Sequence, residues 1–588
     1  MMTILEYLTD LVCTAFDEAG FSGVNPFVTT SNRPDLCQYQ CSNAFQAAKI
    51  HRTNPVAAAD AVAEILAENS IFQQIEVVKP GFINIILTDE FLLAFLMKMH
   101  SDEKKGMPVI TKPETVVLDY GGPNIAKPLH IGHLRSAVIG DSIKRILRYA
   151  GYNVIGDVHL GDWGLPMGLI IAEMKERNPQ WECFSENFNR STCQMPEISV
   201  DSLNEIYPFA SAKSKENPEF MAAAKEITFE LQHGNPGYFA LWEKIRSVSV
   251  ADLKRLYGEL LVDFDLWYGE SDSNKYVDRL IEILEEKKLL FLDDGAMVVD
   301  VSEETDVNPM PPILIKKSDN SILYGTTDLA TIVQREEDFH PEHIWYVVDS
   351  RQSLHFEQVF RCARKAELVQ PDADLTFLGF GTMNGTDGKP YKTRDGGVMS
   401  LETLLNLVKS AAYKQLTASK HLDADEVQIK ELADRIGIAS IKFGDLINHH
   451  SKNYIFDIEK FTASEGKTGP YILYSLTRIQ SILNKLNVAD TEASRISAVK
   501  EPEERNLILT ILYSGDAFRQ AVAEKAPNII CEQLYQIAAA YTKFYQACNI
   551  AGEADLNRRE NLLSLTKVTR SYLLCFMDLL GIEPVERM

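Results

Sequence analysis

The sequence predicts an α/β protein: a doubly wound parallel sheet with a helical insertion over 109–459, an α+β domain over 1–108 and an all-α domain over 460–588. Three observations carry that prediction. First, an apolar strand at 116–118 runs into a Gly121-Gly122-Pro123 loop, and a helix opens at His130-Ile131-Gly132-His133. Its apolar residues (Leu134, Val138, Ile139, Ile143, Ile146, Leu147) recur at helical spacing until Gly151, and 154–158 follows as a second buried strand. That is a βαβ unit. Second, strand-like runs return at 296–299, 313–315, 344–348 and 375–380 and are expected to complete the parallel sheet. Third, only helical spacing survives beyond Lys460, at 472–486, 504–523 and 529–545.

The remaining elements follow in order. An amphipathic helical pattern occupies 1–21, with Glu6, Asp10, Asp17 and Glu18 where a secretion signal would carry basic residues. Two short strands, 75–78 and 82–87, flank the turn Lys79-Pro80-Gly81. Charges and prolines across 101–114 mark a linker. From about 174 to 264 the pattern is polar and helical, an insertion between the two halves of the nucleotide fold.

With 588 residues, 45% of them hydrophobic, the chain has material for several domains. Its longest apolar run, 91–97, is too short for a membrane span. Nine scattered cysteines without a C-x-x-C pair fit a reducing cytosol and disfavour structural zinc. The net charge of −24 argues against general nucleic-acid affinity, so any RNA binding is expected to gather its cations on one face and to be salt-sensitive.

The histidine pair sits where a helix offers free N–H groups and the positive end of its dipole, which suits a phosphate. Gly132 lets a ligand approach the backbone. The same pair could cap the helix or hold a metal, although zinc pairs on helices usually lie four apart and no third ligand is indicated. A second nucleotide element is the loop 381–397, with five glycines (Gly381, Gly385, Gly388, Gly396, Gly397) and three cations (Lys389, Lys392, Arg394). It has the composition of a mobile polyphosphate clamp or of a solvated hairpin. Tyr324 and Asp328 stand four apart at a helix start, and Gln352 follows the strand at 344–348 on the carboxyl edge. Asp328 could bind a ligand or cap its helix.

The run Pro123-Asn124-Ile125-Ala126-Lys127-Pro128-Leu129-His130-Ile131-Gly132-His133-Leu134-Arg135-Ser136 resembles the signature of arginyl-tRNA synthetase, a class I aminoacyl-tRNA synthetase, and His159-Leu160-Gly161-Asp162-Trp163-Gly164 resembles its next block. The resemblance spans the chain. It implies a Rossmann-type catalytic domain, an N-terminal domain that binds the tRNA elbow and a C-terminal anticodon-binding bundle. The implied reaction joins L-arginine to ATP as an adenylate, with magnesium accompanying ATP, then esterifies the terminal adenosine of tRNA(Arg). Members need bound tRNA for the first step. A cytoplasmic monomer is the family expectation.

The resemblance also implies residue roles. His130, His133 and Lys127 would be catalytic; Gly132, Lys389, Lys392 and Arg394 would hold ATP, with no resident metal. Asn124, Tyr324, Asp328 and Gln352 would bind arginine. A guanidinium offers a fork of donors that a carboxylate accepts in two bonds, so lysine and citrulline should be rejected without editing. Thr393 falls where the second lysine of the K-M-S-K-S loop is usual, and Lys127 would compensate. Pro166 replaces a usual glutamine, so no role passes to it. Tyr39, Asn84, Tyr471 and Phe544 would contact tRNA, although an aromatic at helical spacing also fits a core. A smaller nucleotidyltransferase acting on a carboxylic acid lacks the helical C-terminal domain, and a catalytically dead RNA-binding paralogue would not need the histidines and Lys127.

Overall fold

A computed structural model describes residues 1–318, 321–389, 391, 399–418, 424–489, 493 and 496–588. Its centre is a four-stranded parallel sheet in the order Asp374–Phe380, His343–Asp349, Thr115–Tyr120, Asn153–Asp157. The two inner strands are buried nearly end to end, as the continuous apolar runs require of strands covered on both faces. Thr115–Tyr120 is first in sequence yet lies inside the sheet, so its neighbours leave in opposite directions and open a crevice at the carboxyl edge.

Two of the expected strands lie elsewhere. Leu290–Asp293, Ala296–Val299 and Ile313–Lys316 form a separate antiparallel sheet, so 296–299 and 313–315 do not extend the parallel one. The cause is local. Asp294 and Gly295 both have positive φ (47° and 80°), the turn that joins two strands with only two residues between them. A parallel neighbour would need a crossover of a dozen residues or more.

The insertion consists of the helices Leu165–Arg177, Val200–Glu216, Pro218–Gln232 and Pro236–Glu259. Pro166 is in the first turn of the first of these, where its missing N–H costs no hydrogen bond. In the N-terminal region a four-stranded antiparallel sheet packs with the helices Ile4–Glu18, Ala44–His51, Pro55–Ala67 and Asp89–Ser101. Tyr39 and Cys41 point into its core opposite Ile85 and Ile83, whereas Gln40 lies opposite Asn84 and donates to its amide oxygen at 2.8 Å. Tyr39 therefore cannot stack on RNA, and Asn84 is buried behind Gln40.

The C-terminal helices are Gly469–Lys485, Pro502–Leu512, Ser514–Glu524, Pro527–Ala547 and Leu556–Leu579. The pattern expected as one helix over 504–523 is two, breaking at Tyr513, and the last helix was not anticipated. Phe544 is wholly buried between helices, which corrects its expected role at the RNA surface. The bundle is stitched to the catalytic sheet. Ser142 donates to the Leu579 carbonyl at 3.0 Å, and the buried Lys144 and Lys442 share Asp141 beside the terminal turn at Gly581. No helix among the described residues is long and apolar enough to cross a membrane.

Candidate active site

The loop leaving Thr115–Tyr120 is set by its glycines. Gly121 has φ +96°, and a side chain there would press on the Phe264 ring. Its N–H donates to Ser136 Oγ at 2.7 Å, and Ser136 donates to the Val347 carbonyl at 2.6 Å, tying the loop to both inner strands. The loop ends at His130, the N-cap of the helix Ile131–Tyr149.

His130 and His133 form a reciprocal cap. Gly132 N–H donates to His130 Nδ1 and His130 N–H donates to His133 Nδ1, each at 3.1 Å. The rings stack with centroids 3.9 Å apart. The capping and phosphate readings are thus compatible. With both Nδ1 atoms accepting, each neutral ring carries its proton on Nε2, as a donor free to face a ligand. Burial, then His130 and Lys127, pushes the His133 pKa down to about 3. His130 reaches solvent at its edge, yet partial desolvation, Arg351 and Lys127 also lower it. Both rings are neutral near pH 7 in the free protein. Gly132 is required by the pair, since a Cβ would lie 2.9 Å from His130 Cε1.

Lys127 holds its ammonium 4.4 Å above the Tyr207 ring of the insertion. On the loop, Gly385 N–H donates to the Lys389 carbonyl at 2.7 Å and Lys389 is exposed. Lys392 and Arg394 lie outside the described residues. Beyond them Ser400 pairs with His130, Ile131 N–H donates to the Met399 carbonyl at 3.4 Å and Leu401 N–H to the Leu129 carbonyl at 2.8 Å. The trailing end of the loop is therefore fastened to the histidine motif.

Across the crevice stand the other residues. Asn124 bridges to Gly161, where any side chain would collide with its amide oxygen. Tyr324 begins the helix Tyr324–Phe339. Asp328 is one turn inside it, so it is not the cap, and its Oδ2 accepts from His355 Nε2 at 2.5 Å. Gln352, exposed, closes the short turn Ser350–Gln352 after the strand His343–Asp349. Sequence reasoning missed Glu270. Burial raises its pKa to about 7, Asp162 and Asp328 add to the rise and His159 opposes it. The short helix Glu270–Ser273 packs against the helix that carries Tyr324 and Asp328, and burial, then the Glu270 charge, with Asp328 adding, raises the Tyr324 hydroxyl.

Glu270 is held by the second sequence block. Asp162, fully buried, accepts from Ser271 N–H at 2.9 Å and from Arg246 Nε at 2.8 Å, and Arg246 also reaches Asp272. Deeper, Arg335 bonds Asp119 at 2.6 Å and Asp157 at 2.9 Å. Asp119, Asp157 and His159 bring ligand atoms within 4.8 Å of one another, and the guanidinium of Arg335 already bonds both carboxylates. In the bundle Tyr471 is half-buried, its hydroxyl 3.3 Å from Thr542, and its ring packs on Tyr535. The exposed aromatic is Tyr474, with the Arg478 guanidinium 4.8 Å from its ring and 5.3 Å from Tyr545.

Known proteins agree with this arrangement. The family model for the class I (R) tRNA synthetase catalytic domain matches residues 96–458, that for the DALR anticodon binding domain 472–588, and that for the arginyl tRNA synthetase N-terminal domain 3–87. The chain is 44% identical to arginine–tRNA ligases of Alkaliphilus oremlandii (over 589 residues) and of Agathobacter rectalis (over 597), covering 100% of both sequences in each case. The solved arginyl-tRNA synthetase of Plasmodium falciparum superposes with a TM-score of 0.83 at 26% identity, with full coverage of both chains. A parallel sheet with a crevice at its carboxyl edge, a histidine-capped helix beside it and full-length kinship coincide in one molecule, and the chain belongs to the arginyl-tRNA synthetases of class I.

Proposed function

We propose that the chain activates L-arginine with ATP and passes it to the terminal adenosine of tRNA(Arg), using the residues gathered at the carboxyl edge of the sheet. The observation that carries this reading is the His130–His133 cap, which aims two neutral Nε2–H donors away from the helix start on one side of the crevice. On the other side stand Tyr324, Asp328 and Glu270, on two helices packed together.

The α-carboxylate of arginine attacks the α-phosphate, and charge builds on that phosphate and on the departing pyrophosphate. Preorganised N–H donors stabilise it without reorganisation. The rings act as neutral Nε2–H donors throughout, because a proton on Nδ1 would displace the backbone N–H groups that cap the helix. Lys127, Lys389, Lys392 and Arg394 neutralise the polyphosphate, and magnesium enters with ATP as its counter-ion. Asn124 and Gln352 hold the α-ammonium and carboxylate, and the acidic group takes the guanidinium. Gln40, held by the buried Asn84, and Tyr471 with Tyr474 and Arg478, face the tRNA from the domains over 1–108 and 460–588. A reducing cytoplasm fits nine unpaired cysteines, and the monomer rests on the family resemblance alone.

The test is ATP–pyrophosphate exchange across a panel of amino acids, with and without total tRNA. Exchange with arginine alone, appearing only with tRNA, is expected. Absence of exchange under every condition overturns the reading.

A further inference from the structure

We infer that His355 is a positioning residue for amino-acid selection: by donating to Asp328 it fixes which carboxylate oxygen the substrate guanidinium meets. The inference rests on the proposed arginine site. Asp328 does not stand free. Its Oδ2 accepts from His355 Nε2 at 2.5 Å, and the pair is part-buried, with Asp328 18% and His355 31% exposed. A carboxylate oxygen accepts, so His355 carries a proton on Nε2 and the imidazole is the donor.

Three consequences follow. One oxygen is committed to His355, which leaves Oδ1 for the ligand and makes a two-bond fork on Asp328 unavailable without breaking the imidazole contact. The fork then has to be completed by a second acceptor, and Glu270 is a buried carboxylate on the short helix Glu270–Ser273 that packs against the Asp328 helix. Finally, His355 pins a rotor. A carboxylate bonded on one oxygen cannot swing to suit an ammonium or a methylated guanidinium, and rigid acceptors left unpaired by the wrong ligand are what give large discrimination. His355 itself is held from below: it lies in the first turn of the helix Ser353–Lys365, which follows the Gln352 turn, and Phe356 packs edge-on to its ring at 5.3 Å. The helix thereby places Gln352 and His355 together, one toward the α-carbon end of the substrate and the other behind the guanidinium acceptor.

The experiment is tRNA-dependent pyrophosphate exchange with His355→Ala, His355→Gln, Asp328→Ala and the His355→Ala/Asp328→Ala double variant, alongside the unsubstituted protein. His355→Ala should raise the arginine KM by about ten-fold or more and relax rejection of N-methylarginine, while the ATP KM stays within about two-fold. His355→Gln, which keeps an amide donor of similar reach, should restore most of both. The double variant should be no worse than Asp328→Ala, because His355 acts through that carboxylate. An unchanged arginine KM in His355→Ala overturns the inference. So do a parallel rise in both KM values, failure of rescue by glutamine, or additive losses in the double variant. Absence of arginine exchange in the unsubstituted protein would instead sink the proposed function.

Discussion

His133 Nδ1 accepts the backbone N–H of His130 at 3.1 Å, so the two histidines proposed to face the nucleotide are also the reciprocal cap of their own helix. Neither ring can turn without uncapping the helix. The weak point of this device is Gly132. Gly132→Ala drives a methyl into the His130 ring and should lower kcat for activation by about ten- to a hundred-fold, with the arginine KM changed less than two-fold. Steady-state exchange kinetics separate the two; a shifted KM with normal kcat would contradict it.

Glu270 gives a pH signature. Its carboxyl is raised from the ordinary value to about 7, so the folded state holds a proton that the unfolded chain has already lost between about 4.5 and 7. Stability from this group is complete below the lower value and is lost as pH rises through 7. A guanidinium reverses the sign by favouring the carboxylate. The thermal shift caused by arginine should therefore be larger at pH 8 than at pH 6, and Glu270→Gln should flatten the difference.

The buried Arg335 supports two carboxylates on adjacent strands. Arg335→Met leaves Asp119 and Asp157 facing each other without a cation, a loss of about 3–5 kcal/mol. A fall of several degrees in the thermal midpoint is expected. Arg335→Lys should rescue little, because one ammonium does not reproduce the guanidinium geometry.

In the bundle, burial separates two aromatics that look alike in the sequence. Phe544→Ala opens a cavity and should cost about 3–5 kcal/mol of stability. Tyr474→Ala should leave the melting temperature nearly unchanged and weaken tRNA binding, since stacking on a base contributes about 1–3 kcal/mol. Filter binding and calorimetry on both variants check the assignment.

What could be read from the sequence followed from range. The strands Thr115–Tyr120, His343–Asp349 and Asp374–Phe380 announce themselves as unbroken apolar runs, and the histidine motif carries its own turn and cap within a few residues. The hairpin at Asp294-Gly295 was legible too, because two turn residues between strands dictate an antiparallel partner; the apolar pattern alone concealed it. Tyr39 would have declared itself inward by alternation with Gln40. Glu270 and Arg335 were beyond reach. Arg335 meets Asp119 across 216 residues, and a lone carboxylate among polar neighbours has no spacing that marks it as buried.

The hydrogen bond from Ser142 to Leu579 spans 437 residues and lies on the same helix that the histidines cap. That distance has a meaning for synthesis. The helix leaves the ribosome with its first quarter of the chain, but the surroundings of Asp141, Lys144 and Lys442 close only when the final turn at Gly581 arrives. Until then a cluster of charges destined for the interior stays hydrated, and the nucleotide site rests on an unfinished foundation. A nascent chain that already holds every residue of the crevice still lacks the partners that bury this cluster, so crevice and bundle are expected to mature together.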